Sequence, residues 1–286
     1  MELSFGLDYL LKRRGTSEPR DFSEATTLCR AAGFQYVDYT PDFRSDDFER
    51  RAYSNREILD RAGIIVEQTH MPFNRYQTHP EDAFPVFCER TLRASKIVGA
   101  KYVVVHADEY KTRGRYDTKE ILDFTYDYLA PYVEYAEKNG MGIAIENVFE
   151  DNTYRYPQVD GKSRFTSRVE ELQAIIERFN TPTVTCCWDF GHAKCAFGNE
   201  GMLEALKQVG KYVSCTHVHD NYYQKDLHLP PFCGEIDWES HIDYLKKINY
   251  GGKFSFELVY GRIPDALLPM WLSFVHKTGE YICNTL

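Results

Sequence analysis

The chain has 286 residues, 43% of them hydrophobic and 27% charged, with a formal net charge of −9. That length admits one large α/β domain or two small ones. The acidity argues against a nucleic-acid partner, which needs clustered positive charge, and no apolar run approaches the ~20 residues of a membrane helix.

Eight strand-like runs recur along the chain, at 3–8, 35–39, 64–70, 101–106, 141–146, 183–189, 212–218 and 253–258. The first begins at residue 2 without a basic segment and apolar core ahead of it, so no signal peptide is expected. The eight cysteines lack CxxC spacing and fall mostly in strands or on helix faces; they read as reduced packing residues of a cytoplasmic protein. Helices are predicted over 81–98, 118–138 and 168–179, with apolar residues three and four apart; Phe84, Phe87, Cys88, Leu92 and Ser95 share one face of the first. Asp21, Ser54, Thr118 and Ser167 are candidate N-caps. Gly63, Gly99, Gly140, Pro182, Gly210 and Gly251-Gly252 supply the turns before the later strands. Eight β-then-α units with no linker between them predict a (β/α)₈ TIM barrel over residues 1–286 as a single domain. An open doubly wound sheet is the rival, but no GxGxxG turn follows the first strand.

Nine residues of metal-ligand type stand where these strands end or just beyond: His70, His106, Glu146, Asp189, His192, His217, Asp226, His228 and Glu257. Strand ends of a barrel share one mouth, so the nine form one polar ring. Mixed nitrogen and carboxylate donors suit Zn²⁺, Mn²⁺, Fe²⁺ or Co²⁺ better than a Ca²⁺ cage. Glu146 and Glu257 follow buried runs, where an acid needs a base or a cation to neutralise it, and no strand end offers a Lys or Arg. Asp189 and His192 lie in Asp-Phe-Gly-His, whose glycine lets the chain turn sharply. His217 and His219 share a strand face that Asp220 opposes; His219 suits packing or support of a ligand. His70 and His106 suit either ligation or a hydrogen-bonded place in the mouth. Lys12-Arg13-Arg14 and Lys111-Thr-Arg113-Gly-Arg115 lie in βα loops, where basic residues either meet an anion or are simply solvated.

The segments Glu146-Asn147, Asp189-Phe-Gly-His192, His217-Val-His-Asp220, Asp226-x-His228-Leu-Pro-Pro-x-x-Gly-x-Ile-Asp-Trp238 and Phe256-Glu257 resemble the xylose isomerase-like TIM-barrel superfamily over about residues 3–278. That superfamily contains sugar isomerases and epimerases, inosose dehydratases and endonuclease IV. The resemblance to its sugar-acting members implies a divalent metal (Mn²⁺, Zn²⁺, Co²⁺ or Mg²⁺) on Glu146, Asp189, His217 and Glu257, with His192 at substrate hydroxyls. The resemblance to endonuclease IV implies up to three ions: one at His70, His106 and Glu146, one at Glu146, Asp189, His217 and Glu257, and one at His192, Asp226 and His228. The chain departs from the ketose 3-epimerase branch at His228, where that branch has Arg, and at Asn152, where it has Glu.

The expected activity is a metal-dependent isomerase or epimerase of a small carbohydrate or polyol derivative, working through a metal-bound enediolate. Glu146 and Glu257 serve as the acid–base pair. A dehydratase or lyase on a keto-sugar or keto-inositol is the chemically nearest alternative. An abasic-DNA phosphodiesterase is the rival of another class, and it requires a positive crescent joining Lys12, Arg13, Arg14, Arg44, Arg50, Arg51, Lys111, Arg113 and Arg115. A small-molecule substrate is expected, with no nucleic acid and no membrane; a homo-oligomer is left open.

Overall fold

The structure of the protein, a computed structural model, describes residues 1–12, 18–73, 83–110, 115–150, 158–159, 161–223, 225–261 and 263–286. Arg13, Arg14, Lys111, Arg113, Asn152 and the first two residues of the predicted 81–98 helix lie outside the described residues.

Eight parallel strands form one sheet: β1 (Glu2–Gly6), β2 (Tyr36–Asp38), β3 (Ile65–His70), β4 (Tyr102–Val105), β5 (Gly142–Glu146), β6 (Val184–Asp189), β7 (Val213–His217) and β8 (Lys253–Phe256). Neighbours follow chain order from β1 to β7, and β8 pairs with β1. The ring closes just past β7: Val218 N–H donates to Ser255 O at 2.8 Å, and Glu257 N–H donates to Val218 O at 3.1 Å. Closure excludes the open doubly wound sheet, and the fold is a (β/α)₈ barrel. All eight predicted strands are present, with ends trimmed by at most two residues, except that β1 begins one residue earlier than predicted.

The helices are α1 (Leu7–Leu11), α2 (Phe22–Ala31), α3 (Phe48–Ala62), α4 (Phe84–Val98), α5 (Thr118–Asn139), α6 (Val169–Phe179), α7 (Phe190–Val209), α8 (Trp238–Lys247) and α9 (Leu268–Thr285). The predicted start at Asp21 is borne out, since its carboxylate accepts from Ser23 N–H and Glu24 N–H. The other three cap assignments need correction. Ser54 sits inside α3, which begins about two turns earlier where Phe48 can bury. Thr118 is the first helical residue of α5, and Asp117 ahead of it accepts from Glu120 N–H. Ser167 precedes Arg168 at the start of α6, and its hydroxyl donates to Glu150 at 2.8 Å.

Alternation of side chains along the strands divides the core in two. Phe5, Val37, Val66, Val103, Ile143 and Phe254 point outward into the main apolar layer under the helices. Val104, Ala144, Cys187 and Cys215 point inward and fill the barrel between β4 and β7. On α6, Leu172, Ile175 and Ile176 are buried against this layer, each contributing roughly 1.5–3 kcal/mol. The eight cysteines are free thiols, seven of them buried, as their reading as packing residues expects. No helix among the described residues is long and apolar enough to cross a membrane.

Candidate metal centre

Every strand from β3 to β8 ends at the same rim, so the inward residue at or just past each C-terminal end joins one cluster. His70, Glu146, Asp189 and His217 are the final residues of β3, β5, β6 and β7; His106 and Glu257 come just after β4 and β8. Two devices fix the β5–β6 junction. Asn147 donates to Asp189 O at 2.9 Å and accepts from Asp189 N–H at 2.7 Å, while the Asp189 carboxylate accepts from His192 N–H at 2.6 Å and so starts α7.

The centre of the cluster is His217. Its Nε2 lies 3.2 Å from Asp38 Oδ2, and a carboxylate there accepts, so Nε2 carries the hydrogen. Gln68 donates to the same Asp38 oxygen at 2.8 Å, which holds the acceptor still. Nδ1 is thereby left to face three carboxylates: Glu146 Oε1 at 3.3 Å, Asp189 Oδ2 at 3.7 Å and Glu257 Oε2 at 3.7 Å. It is buried and makes no hydrogen bond.

The other imidazoles repeat the pattern. His70 Nδ1 donates to Met71 O at 2.7 Å and turns Nε2 to Glu146 Oε2 at 3.1 Å, beside His106 Nε2 at 3.3 Å from the same oxygen. His228 Nδ1 donates to Glu257 O at 2.9 Å and turns Nε2 to Asp226 Oδ2 at 3.3 Å. His192 Nδ1 lies 3.0 Å from Asn147 O and 3.0 Å from Glu146 Oε1, with Nε2 3.8 Å from Asp226. His219 Nε2 meets Asp189 at 3.1–3.2 Å, its ring stacks on His228 at 4.1 Å, and Nδ1 is 3.8 Å from Asp226 Oδ1.

Donor atoms gather into groups whose members lie within 4.8 Å of one another: His70, His106 and Glu146; Glu146, Asp189 and His217; Asp189, His192 and His219; His219, Asp226 and His228. Eight of the nine residues singled out by the sequence fall in these groups, and the ninth, Glu257, lies 3.7 Å from His217 Nδ1 at the same rim. His219, read there as packing or support, touches two of these groups. Its ring also explains Gly191. That glycine sits in the first turn of α7 without a positive φ, so a sharp turn is not its purpose. A Cβ at 191 would lie 1.8 Å from His219 Cε1. Asp220, on the opposite strand face, accepts from Asn221 N–H, Phe232 N–H, Ile236 N–H and Trp238 Nε1–H at 2.9–3.1 Å. It shapes the loop that delivers Asp226 and His228.

The charges follow from burial. Burial alone would raise the Glu146 pKa, but His217, His106 and His192 around it outweigh that and hold the carboxyl well below its usual range. Burial works against protonation of His192, yet Asp189, Glu146 and Asp226 push it up to about 10; in the same way Asp226 and Glu257 push His228 up to about 9. His217 is also raised, against burial, by Cys187, Glu257, Glu146 and Asp38. Buried acids with no Lys or Arg paired to them among the described residues draw protons onto the histidines, and that demand is one a dication meets directly. The donor set fits a divalent ion: nitrogen and oxygen donors, convergent, with the imidazoles of His70, His217 and His228 each held from behind by a second partner, while His106 Nδ1 has only a long 3.7 Å approach to Asp108 and His219 Nδ1 makes no hydrogen bond.

The rim encloses a cavity of about 380 Å³, lined by His70, His106, Glu146, His192, Asp226, His228 and Glu257 together with residues the sequence reading did not single out. These are Gly6, Asp8, Tyr9, Asp38, Thr40, Phe73, Phe149 and Arg164, and Lys12 of the first basic loop lines the cavity as well. Tyr9 OH lies 3.5 Å from His228 Nδ1. Arg164 is buried and donates to Asp108 at 2.5 Å. Burial, with Asp38 nearby, pushes Asp8 up to about 7 despite its bond from Thr40 N–H. Of the basic crescent, Arg50 and Arg51 pair with Asp47, Arg51 also with Asp42, and Arg115 with Asp117 and Glu120. No continuous positive band faces outward among the described residues.

Residues 27–270 match the family described as xylose isomerase-like TIM barrel, and the chain belongs to that family. It is 30% identical over 206 residues to the MJ1311 protein of Methanocaldococcus jannaschii, covering 70% of this chain and 67% of that one. It is 24% identical over 260 residues to an inosose isomerase of Bacillus subtilis, covering 83% and 87%. Among solved structures it is similar to an IolI protein with a bound zinc atom, at a TM-score of 0.73 and 20% identity over 99% and 98% of the two chains.

Proposed function

We propose that this member of the xylose isomerase-like family is a divalent-metal-dependent isomerase or epimerase of a small carbohydrate or polyol derivative. The observation that carries the reading is the convergence of Glu146, Asp189 and Glu257 on His217 Nδ1, which makes no hydrogen bond, at 3.3–3.7 Å, with no Lys or Arg paired to them among the described residues. Those four residues are the proposed metal ligands. His70, His106, His192, Asp226 and His228 provide for further ions or for substrate hydroxyls, and the zinc in the similar IolI structure supports an ion at this rim. A divalent ion there supplies a Lewis acid for adjacent carbonyl and hydroxyl oxygens.

The chain's own residues account for the proton traffic. β5 and β8 are three strands apart around the ring, so Glu146 and Glu257 reach the cavity from different sides. One carboxylate removes the proton on the carbon next to the carbonyl, and the other, protonated, delivers one. Delivery to the opposite face gives an epimer; delivery to the neighbouring carbon gives the aldose–ketose isomer. Asp38 and Gln68 keep His217 in one tautomer throughout. The cavity of about 380 Å³ suits a molecule of sugar size.

The same proton removal followed by loss of a β-hydroxyl makes a dehydratase, a second reading favoured by His228, where ketose 3-epimerases carry Arg. Hydride transfer needs a cation near the moving hydrogen. Lys194, the candidate just past His192, instead pairs with Glu235 at 3.2 Å and is absent from the described cavity lining, which leaves Lys12 as the lysine that lines the cavity.

Incubating the manganese- or zinc-loaded protein with a panel of ketoses, aldoses and inososes in D₂O tests the reading. The expected result is an isomer carrying deuterium on the carbon next to the carbonyl. Full retention of a substrate deuterium, with turnover lost in Lys194→Met, would replace the glutamate pair by hydride transfer. Efficient EDTA-sensitive incision of abasic duplex DNA would promote the phosphodiesterase.

A further inference from the structure

A second groove of about 550 Å³ opens on the outer side of β1 and β2 and shares Asp8 and Thr40 with the cavity at the rim. Its floor is aromatic: Tyr39 packs on Phe22 at 4.8 Å and is held by Asn55 Nδ2 at 2.5 Å, and Phe43 lies alongside. Its edge is basic, formed by Arg44, Arg50 and Arg51. Asp42 and Asp47 answer Arg50 and Arg51. Arg44 is exposed, its guanidinium 4.5 Å from the Phe43 ring centroid, and it has no carboxylate partner among the described residues. The hydrogen bonds at Arg44 run through its backbone: its N–H donates to Asp42, and its carbonyl accepts from Arg90. In a chain of net charge −9, a groove that borders the reaction cavity at the bonded Asp8–Thr40 pair and carries an arginine with no carboxylate partner among the described residues is a local reversal.

Building on the carbohydrate reading, we propose that this groove receives an anionic substituent, a phosphate monoester or a carboxylate, carried by the substrate away from its reacting carbons. The aromatic floor takes the intervening carbon chain, and Arg44 makes the charge-assisted contact at the end. A nucleic-acid backbone is disfavoured because two of the three arginines already hold carboxylates and the basic edge stops there.

Calorimetric titration of the metal-loaded protein with D-glucose 6-phosphate, D-glucuronate and D-glucose tests the assignment, alongside the Arg44→Gln variant. That variant should fold normally, since it leaves the backbone contacts in place. At least one charged ligand should bind about tenfold more tightly than glucose, and Arg44→Gln should remove that preference. Preference for the phosphate alone identifies a phosphate subsite; preference for both identifies a general anion subsite. Charged ligands that bind no better than glucose, or equally well to Arg44→Gln, overturn the proposal, the second result assigning the anion to the metal. Tighter binding of an abasic duplex than of either small anion, lost in the same variant, overturns it in favour of nucleic acid. Turnover of neutral sugars without anion preference sinks the groove and leaves the isomerase standing. Anion preference without turnover of any carbohydrate keeps the groove and sinks the isomerase.

Discussion

Two flanks of the barrel mouth carry acids in comparable number and settle them in opposite ways. Outside β2, Asp42, Asp46, Asp47 and Glu49 stand in water and pair with Arg51, Arg90, Arg50 and Arg93. Across β5 to β8, Glu146 and Asp189 are fully buried and their side-chain ion partners among the described residues are imidazoles, while Glu257 reaches into the cavity beside them. Exposed pairs need nothing further, because solvent and guanidinium share the charge. A buried carboxylate ringed by histidines has no permanent cation, so it takes up protons until something better arrives. The difference separates the flank proposed to take an anion from the one proposed to hold a dication.

Exchanging single charges on the two flanks tests the contrast. The largest effect is expected at Glu257. Glu257→Gln should cut turnover of the substrate found in the deuterium screen by ~10²–10⁴-fold, with a thermal melt close to the parent's because the core is untouched. A melt that collapses would assign Glu257 to the fold instead.

Titration of the metal-free protein comes next. His192 and His228, at about 10 and about 9, are raised above their unfolded values. Their contribution is therefore complete below about pH 6.5 and lost as pH rises through 9 to 10, on the order of a few kcal/mol together. Thermal melts at pH 7, 8, 9 and 10 should fall progressively without metal and stay flatter with it. Parallel curves would mean that the ion does not replace those protons.

Asp38→Asn should weaken metal binding by ~10–100-fold by freeing the His217 ring, as read by competition with a chromophoric chelator. Asp42→Asn, in the arginine-paired flank, should leave metal affinity unchanged. The smallest effect is Arg51→Ala: its partners are exposed, so chemical denaturation should show a loss of no more than about 1 kcal/mol.

The ring of strands was legible because each strand is a short apolar run closed by turn residues, and because strand ends in a barrel are bound to meet. That logic brought out His70, His106, Glu146, Asp189, His192, His217, Asp226, His228 and Glu257 together. By the same logic Asp38 was within reach, since it closes the Tyr-Val-Asp strand, but that strand is only three residues long and offers a weak pattern. Arg164 carried no such signal. It comes from a segment without regular structure and is placed by its ion pair with Asp108, a contact 56 residues away in the chain. Helix starts were less legible than strands because a neighbouring residue with a similar side chain can cap equally well, as Asp117 does next to Thr118.

Gly191 has a consequence for how far this protein can drift. A single added methyl would press on His219, and that imidazole bonds Asp189 and stacks on His228, so one carbon would disturb two donor groups at once. Mutational tolerance at the rim should therefore not track chemical role. In a saturation library scored for retained metal, a residue with no side chain of its own should rank beside the ligands as the least replaceable, and Gly191→Ala should be as damaging there as the loss of a histidine.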